Sequence, residues 1–163
     1  MEKVKVFNPK HYKTTTREQW QTAAEAWHRW HPTLKTWLGP ATDLMLDMAE
    51  VKEGYRILDI AAGAGEQSIT AAEKVGPNGY VLATDLAPKI LDFALELANE
   101  KGIHNIETKE MDGENLTVPE NSFDTVISRV GLIFFPDQQK ALKEMMRVLK
   151  PGGFVAAIVY STV

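Results

Sequence analysis

A three-layer α/β sandwich around a mostly parallel sheet in the order 3-2-1-4-5 is the architecture this sequence predicts. Three observations predict it. Short apolar runs alternate with helical segments from residue 54 onward, glycine or proline punctuates the junctions, and the runs are apolar throughout rather than on every second residue. Such runs are strands buried on both faces, which means a parallel sheet covered by helices. Right-handed crossovers and one reversal after the first strand then give the order 3-2-1-4-5, and the reversal opens a crevice at the carboxyl ends of the strands.

The elements follow in order. Residues 1–16 are polar and without a sustained period, and are expected to form a flexible N-terminal arm. Residues 17–53 carry two helices. Trp20, Ala23, Ala24, Trp27 and Trp30 have helical spacing, Pro32 ends or bends that segment, and a second helix runs from Pro40 to Glu50 with Leu44, Leu46, Met48 and Ala49 on its buried side. Residues 54–163 form the ligand-binding domain. Its first strand is Arg56-Ile57-Leu58-Asp59-Ile60, followed by a glycine turn and a helix from Glu66 to Val75. Tyr80 to Thr84 is the second strand, Pro88 opens a helix that Gly102 closes, and Asn105 to Lys109 is the third strand. Phe123 to Ser128 is the fourth, Asp137 caps a helix ending near Lys150, and Phe154 to Tyr160 is the fifth.

With 163 residues, 44% hydrophobic and 25% charged, the chain is long enough for one domain with its own core. A net charge of −4 gives no electrostatic reason to approach nucleic acid or an anionic membrane, so neither is expected as a partner. Lys140, Lys143, Arg147 and Lys150 read as a solvated helix face. There is no cysteine, which excludes disulfides and thiolate metal sites. The first residues lack the apolar core of a signal peptide and no apolar stretch is long enough to span a bilayer. The expectation is a cytoplasmic protein without membrane insertion.

Chemistry concentrates at the strand ends. Asp59-Ile60-Ala61-Ala62-Gly63-Ala64-Gly65 lies between a strand and a helix. Glycines there let the backbone approach a ligand closely, and the helix N-terminus offers unpaired N–H groups; the alternative is a tight turn that holds nothing. Asp85 ends the second strand about twenty residues further on, where a carboxylate can accept both hydrogen bonds of a ribose diol or cap the following helix. Loop and acid together select an adenosine-type ligand, either NAD or S-adenosylmethionine. Gly63-Ala64-Gly65-Glu66-Gln67-Ser68 nearly satisfies the dinucleotide pattern, with Ser68 in place of its third glycine or alanine. Two features favour S-adenosylmethionine: Asp59 would set a negative charge near a loop that must cradle a pyrophosphate, and the third strand is followed by a further acid. A second acid, in Met111-Asp112-Gly113, follows the third strand and can accept from the adenine amine, unless it is an ordinary acidic loop residue.

From about Trp20 to Ser161 the sequence resembles the class I S-adenosylmethionine-dependent methyltransferases, and most of all the ubiquinone/menaquinone C-methyltransferase-like small-molecule group. Residues 59–65 resemble that family's first motif, with Ala61 where many relatives carry glycine, and Thr84-Asp85-Leu86 the ribose-binding motif. Met111-Asp112-Gly113-Glu114-Asn115-Leu116, Ser128-Arg129-Val130-Gly131-Leu132-Ile133-Phe134-Phe135-Pro136-Asp137 and Arg147-Val148-Leu149-Lys150-Pro151-Gly152-Gly153 match three further segments in the right order. The resemblance implies a Rossmann-like fold and S-adenosyl-L-methionine as cofactor, with S-adenosyl-L-homocysteine as product. It places Ala61, Ala62, Gly63 and Gly65 around the methionine portion, with Asp59 supporting the loop or reaching the ammonium through water. Asp85 holds the ribose, Leu86 packs on adenine, and Met111, Asp112 and Gly113 form the adenine segment. It assigns Arg129 either to the cofactor's carboxylate or to a salt bridge. Trp20, Trp27, Trp30 and Trp37 are core by spacing; in related enzymes N-terminal helices cover the cofactor, which makes Trp27 or Trp30 lid candidates. His28 and His31 read as an exposed pair rather than a metal site. No residue is singled out as a general base.

The family continues past strand five with two more strands, and this sequence does not. The expectation is a C-terminally truncated polypeptide lacking strands 6 and 7, whose fifth strand is a bare edge or pairs with a second copy in a homodimer. Two functions follow: a methyltransferase acting on a small-molecule acceptor by in-line transfer, or a cofactor-binding or interaction module with little or no turnover. A dehydrogenase is a distant third.

Overall fold

The computed structural model describes residues 7–161. Two helices come first, α1 (Pro9–Arg29) and α2 (His31–Met48), and then strand and helix alternate: β1 (Arg56–Ile60), α3 (Glu66–Val75), β2 (Tyr80–Asp85), α4 (Pro88–Glu100), β3 (Ile106–Glu110), β4 (Phe123–Arg129), a 3-10 turn (Leu132–Phe134), α5 (Gln138–Val148) and β5 (Leu149–Ile158). The five strands form one sheet in the order β3-β2-β1-β4-β5, and every pairing is parallel. This is the architecture read from the sequence.

Successive residues of a strand face opposite sides, so β1 supplies both cores. Ile57 joins Val81, Ala83 and Ile127 under α2, α3 and α4, through Leu46, Ile69 and Leu97. Leu58 and Ile60 join Leu82 and Val126 under α5, through Ala141 and Met145. Both sets are almost wholly buried, which is why β1, β2 and β4 read as continuous apolar runs.

Three expectations need correction. Residues 9–16 are not a flexible arm: α1 starts at Pro9, and the Asn8 side chain accepts from the His11 N–H at its N-terminus. That half of the helix is polar because it is held by ion pairs, described below, rather than by an apolar stripe; residues 1–6 of the expected arm lie outside the described residues. Second, α2 starts at His31 instead of Pro40, with Pro32 in its first turn and Pro40 inside it. Its buried face is Leu38, Thr42, Met45 and Leu46, whereas Leu44 and Met48 are exposed. Third, β5 begins at Leu149, and the register with β4 shifts between Phe123↔Leu149 and Thr125↔Phe154. The extra residues of that bulge absorb Pro151-Gly152-Gly153, where a proline without an N–H breaks no ladder bond.

Among the described residues β5 pairs with β4 alone and is an edge strand. The polypeptide leaves β1 for β2 on one side, while β4 lies on the other. The crevice opened by that reversal sits beyond the carboxyl ends of β1 and β4.

Candidate cofactor site

A cavity of about 270 Å³ occupies the crevice. Sheet register explains which acids reach it. Asp59 pairs with Ala83 and Ile127, and Ile60 with Thr84. Continued past the ends of β1, that register sets Ala61 level with Asp85 and Arg129, and all three line the cavity. Asp59 lies one layer deeper.

The loop after β1 turns through left-handed backbone. Ala61 has φ +58°, Gly63 +58° and Gly65 +81°. The first explains why glycine suits position 61 and why the smallest side chain stands in for it, at a strain of about 1 kcal/mol. Gly65 does not touch the cavity. A Cβ there would lie 2.5 Å from the Ala94 Cβ, so this glycine lets α3 pack against α4 and thereby places the loop. Ala61, Ala62 and Gly63 form the cavity wall.

Asp85 binds the loops together. Its Oδ2 accepts from the Gly63 N–H at 3.0 Å and its Oδ1 from the Ala87 N–H at 3.0 Å. Burial raises its carboxyl above the usual range, while those same N–H groups pull it down. Its carboxylate has only backbone donors among the described residues, and it faces the cavity without a cationic partner.

Asp59 is fully buried and is absent from the cavity wall. Its carboxylate accepts from the Ser68 hydroxyl and from Gln67 Nε2, so it holds the first turn of α3 beneath the loop. Its side chain braces the loop from beneath the cavity wall. Burial pushes its carboxyl up to about 7, against the Ser68 hydroxyl and the Arg129 charge. The folded chain holds this proton to higher pH than the unfolded chain does. The group's contribution to stability falls as pH rises from 3.8 to about 7 and is level above that. In urea melts at successive pH values, Asp59→Asn is expected to show a shallower loss of stability over that window than the wild type; an unchanged slope would refute the assignment.

At the next strand end, Asp112 Oδ2 accepts from Lys13 Nζ at 2.6 Å and from Asn115 Nδ2 at 2.7 Å, and its Oδ1 accepts from the Glu114 N–H at 3.0 Å. Burial alone would raise this carboxyl, but Lys13 and the two N–H donors hold it below the usual range. Lys13 also pairs with Glu114 at 2.7 Å. One turn further along α1, Arg17 reaches Glu110 at 2.8 Å and the Leu86 carbonyl at 3.1 Å. The supposed arm is thus strapped across the β2 and β3 ends. Leu86, Met111, Asp112 and Gly113 all line the cavity. A Cβ on Gly113 would meet Phe135 at 2.7 Å and Ile60 at 2.8 Å, so only glycine lets this wall close.

Arg129 ends β4 with 8% of its surface exposed. Its Nη1 pairs with Glu66 and donates to Thr42 Oγ1 at 3.1 Å. Of the two roles expected, a buried salt bridge is present, and Arg129 is also among the residues lining the cavity.

Residues given no role from the sequence complete the enclosure. Lys13, Thr16 and Arg17 come from α1, Gln67 from α3, and Ile133 to Phe135, within the segment matched after strand four, from the 3-10 turn and its end. Trp20 packs edge-on against Trp27 (centroids 5.2 Å) and against Phe134 (5.5 Å), which makes an aromatic wall. Trp27 lines the cavity, whereas Trp30 and Trp37 are about 60% exposed. The seven-residue spacing of Trp20 and Trp27 was the visible signal; Lys13 and Gln67 gave none. His28 stacks on Phe93 with centroids 4.5 Å apart, and it and His31 are half-buried rather than exposed.

Known proteins resemble this chain in sequence and in fold. Demethylmenaquinone methyltransferases of Listeria welshimeri and Listeria monocytogenes are each 38% identical over 113 residues, which is 69% of this chain and 48% of theirs. The chain spans about half the length of the curated relatives it matches. Among solved structures, a SAM-dependent methyltransferase from Aquifex aeolicus superposes with a TM-score of 0.68 at 28% identity, covering 73% of this chain and 63% of that one. The YcgJ protein of Bacillus subtilis gives 0.68 at 30%, covering 73% and 50%. The model of the ubiE/COQ5 methyltransferase family matches residues 36–163. That stretch takes in every strand of the sheet and every wall of the cavity outside α1, and on it the chain belongs to the ubiE/COQ5 methyltransferase family.

Proposed function

We propose that this chain binds S-adenosylmethionine in the crevice and transfers its methyl group to a small-molecule acceptor. The observation that carries the reading is the convergence of the 61–63 loop, Asp85 and Asp112 on one cavity. The donor set suits a nucleoside joined to an amino acid and suits a pyrophosphate poorly, since Asp85 faces the space beside the loop. In this reading the backbone of residues 61–63 surrounds the methionine portion and Arg129 takes the carboxylate. Asp85 holds the ribose hydroxyls, Leu86 packs on the adenine, and Met111, Asp112 and Gly113 line its edge. Asp59 and Gly65 hold the loop in place from behind. Trp20, Trp27 and Phe134 form a wall suited to a flat apolar acceptor, as a demethylmenaquinone-like compound would be, and aromatic faces also favour a nearby sulfonium.

When bound, the cofactor supplies an already activated methyl group. What remains for this chain's residues is to align donor and acceptor and to exclude water. The α1 strap closes one side through Lys13 and Arg17, and the aromatic wall closes another. Calorimetric titration is expected to show binding of S-adenosylhomocysteine and none of NAD; the reverse preference would overturn the proposal. Incorporation of labelled methyl into a demethylmenaquinol-type acceptor then separates turnover from the second reading, a module that binds the cofactor without transfer.

The proposal extends to assembly and location. The one-sided pairing of β5, with Phe154 and Val159 exposed, supports a homodimer joined through this edge. Sedimentation is expected to give twice the monomer mass of 18.2 kDa, and a monomer at all concentrations would refute it. No helix among the described residues is long and apolar enough to cross a membrane, and a cytoplasmic site of action with no nucleic-acid partner accords with this reading.

A further inference from the structure

Gln67 is the second residue of α3, is 2% exposed and lines the cavity. Its Nε2 donates to the Ala62 carbonyl at 3.0 Å and points to Asp59 Oδ1 at 3.5 Å. Both neighbours are oxygens, so the amide has one tenable orientation; turned over, it would set oxygen against oxygen. The other end, Oε1, is then a buried acceptor with no partner among the described residues. Buried acceptors are rarely left unpaired, and an exception on a residue that lines a cavity points to a donor that arrives with a ligand. Glu66, its sequence neighbour, is committed to Arg129.

Resting on the cofactor reading above, we infer that Gln67 Oε1 accepts a hydrogen bond from the α-ammonium of the cofactor's amino-acid end. Gln67 and Arg129 then read the two ends of a zwitterion, Oε1 the ammonium and the guanidinium the carboxylate. Asp59, behind Gln67, fixes the amide so that its oxygen is presented. Gln67 is a cofactor-binding residue in this scheme and takes no part in bond making.

The test is titration of the full chain with S-adenosylhomocysteine and with its deaminated analogue, S-adenosyl-4-thiobutanoate. A hydrogen bond to a charged group is worth about tenfold or more in affinity, so the wild type is expected to prefer S-adenosylhomocysteine by about that factor. Gln67→Met, close in volume but without the acceptor, is expected to reduce the preference to less than about twofold, with thermal unfolding reported alongside. Should that variant not fold, Gln67→Asn withdraws the oxygen by one methylene and keeps an amide, and the same collapse is expected. A wild type that binds both compounds equally overturns the inference while leaving the cofactor reading intact, as does a preference undiminished in a folded variant. Failure of the wild type to bind S-adenosylhomocysteine at all overturns both.

Discussion

Replacing Asp85 by alanine is expected to weaken S-adenosylhomocysteine binding by about 100-fold or more. Two losses combine. A carboxylate accepting from a ribose diol makes charge-assisted hydrogen bonds, each worth about 1.5–3 kcal/mol. The same oxygens now accept from the Gly63 and Ala87 N–H groups at 3.0 Å each, so their removal also frees the loop that forms the adjoining wall. Asp85→Asn separates these effects. Its single carbonyl can serve one N–H, and its NH2 must face the other, so loop order and charge are both reduced but the volume is kept. Its affinity is expected to lie between those of the wild type and the alanine variant. Calorimetry measures the affinity, and far-UV circular dichroism confirms that the sheet persists. A folded alanine variant that binds within about threefold of the wild type would remove Asp85 from the site.

Much of this geometry was legible before any coordinates, and the reasons are physical. The limits of α3 agree at both ends because Gly65 and Gly76 sit at positive φ on either side of it, where glycine is the low-strain choice. The inner strands were legible because each is apolar on two faces. What was not legible depends on contacts distant in sequence. Lys13 meets Asp112 across 99 residues and Arg17 meets Glu110 across 93. A helix anchored by charges carries no apolar period, so its first half resembled a loose arm. Asp59 and Asp85 are both acids near strand ends. Asp85 is the last residue of β2, whereas Asp59 precedes the last residue of β1, and that single step along the pleat puts one at the rim and the other beneath it. On α2, Leu44 and Met48 were as apolar as Leu38 and Met45, and only the position of the sheet decides which pair is buried.

Arg129→Met is expected to destabilise the chain by about 3–5 kcal/mol, the second large effect, because it strands Glu66 as an unpaired buried charge. Both partners of this pair are almost wholly buried, with side-chain exposures of 5% and 8%. Thr42 loses little by the change, since its hydroxyl still donates to the Leu38 carbonyl at 3.0 Å. A buried ion pair replaced on both sides by apolar residues of like length is often nearly neutral. The double variant Arg129→Met with Glu66→Met is therefore expected to recover most of the loss in urea-denaturation midpoints. Affinity need not follow stability. If the guanidinium serves the cofactor's carboxylate as well as Glu66, the double variant regains its fold and still binds S-adenosylhomocysteine about tenfold or more weakly, the value of one charge-assisted hydrogen bond. Recovery of both quantities together would confine Arg129 to the salt bridge; recovery of neither would mean that the pair is needed to shape the floor of the cavity. Only stability regained with affinity still missing assigns the residue two roles, and the burial of the pair beside an open cavity wall is the reason to expect that result.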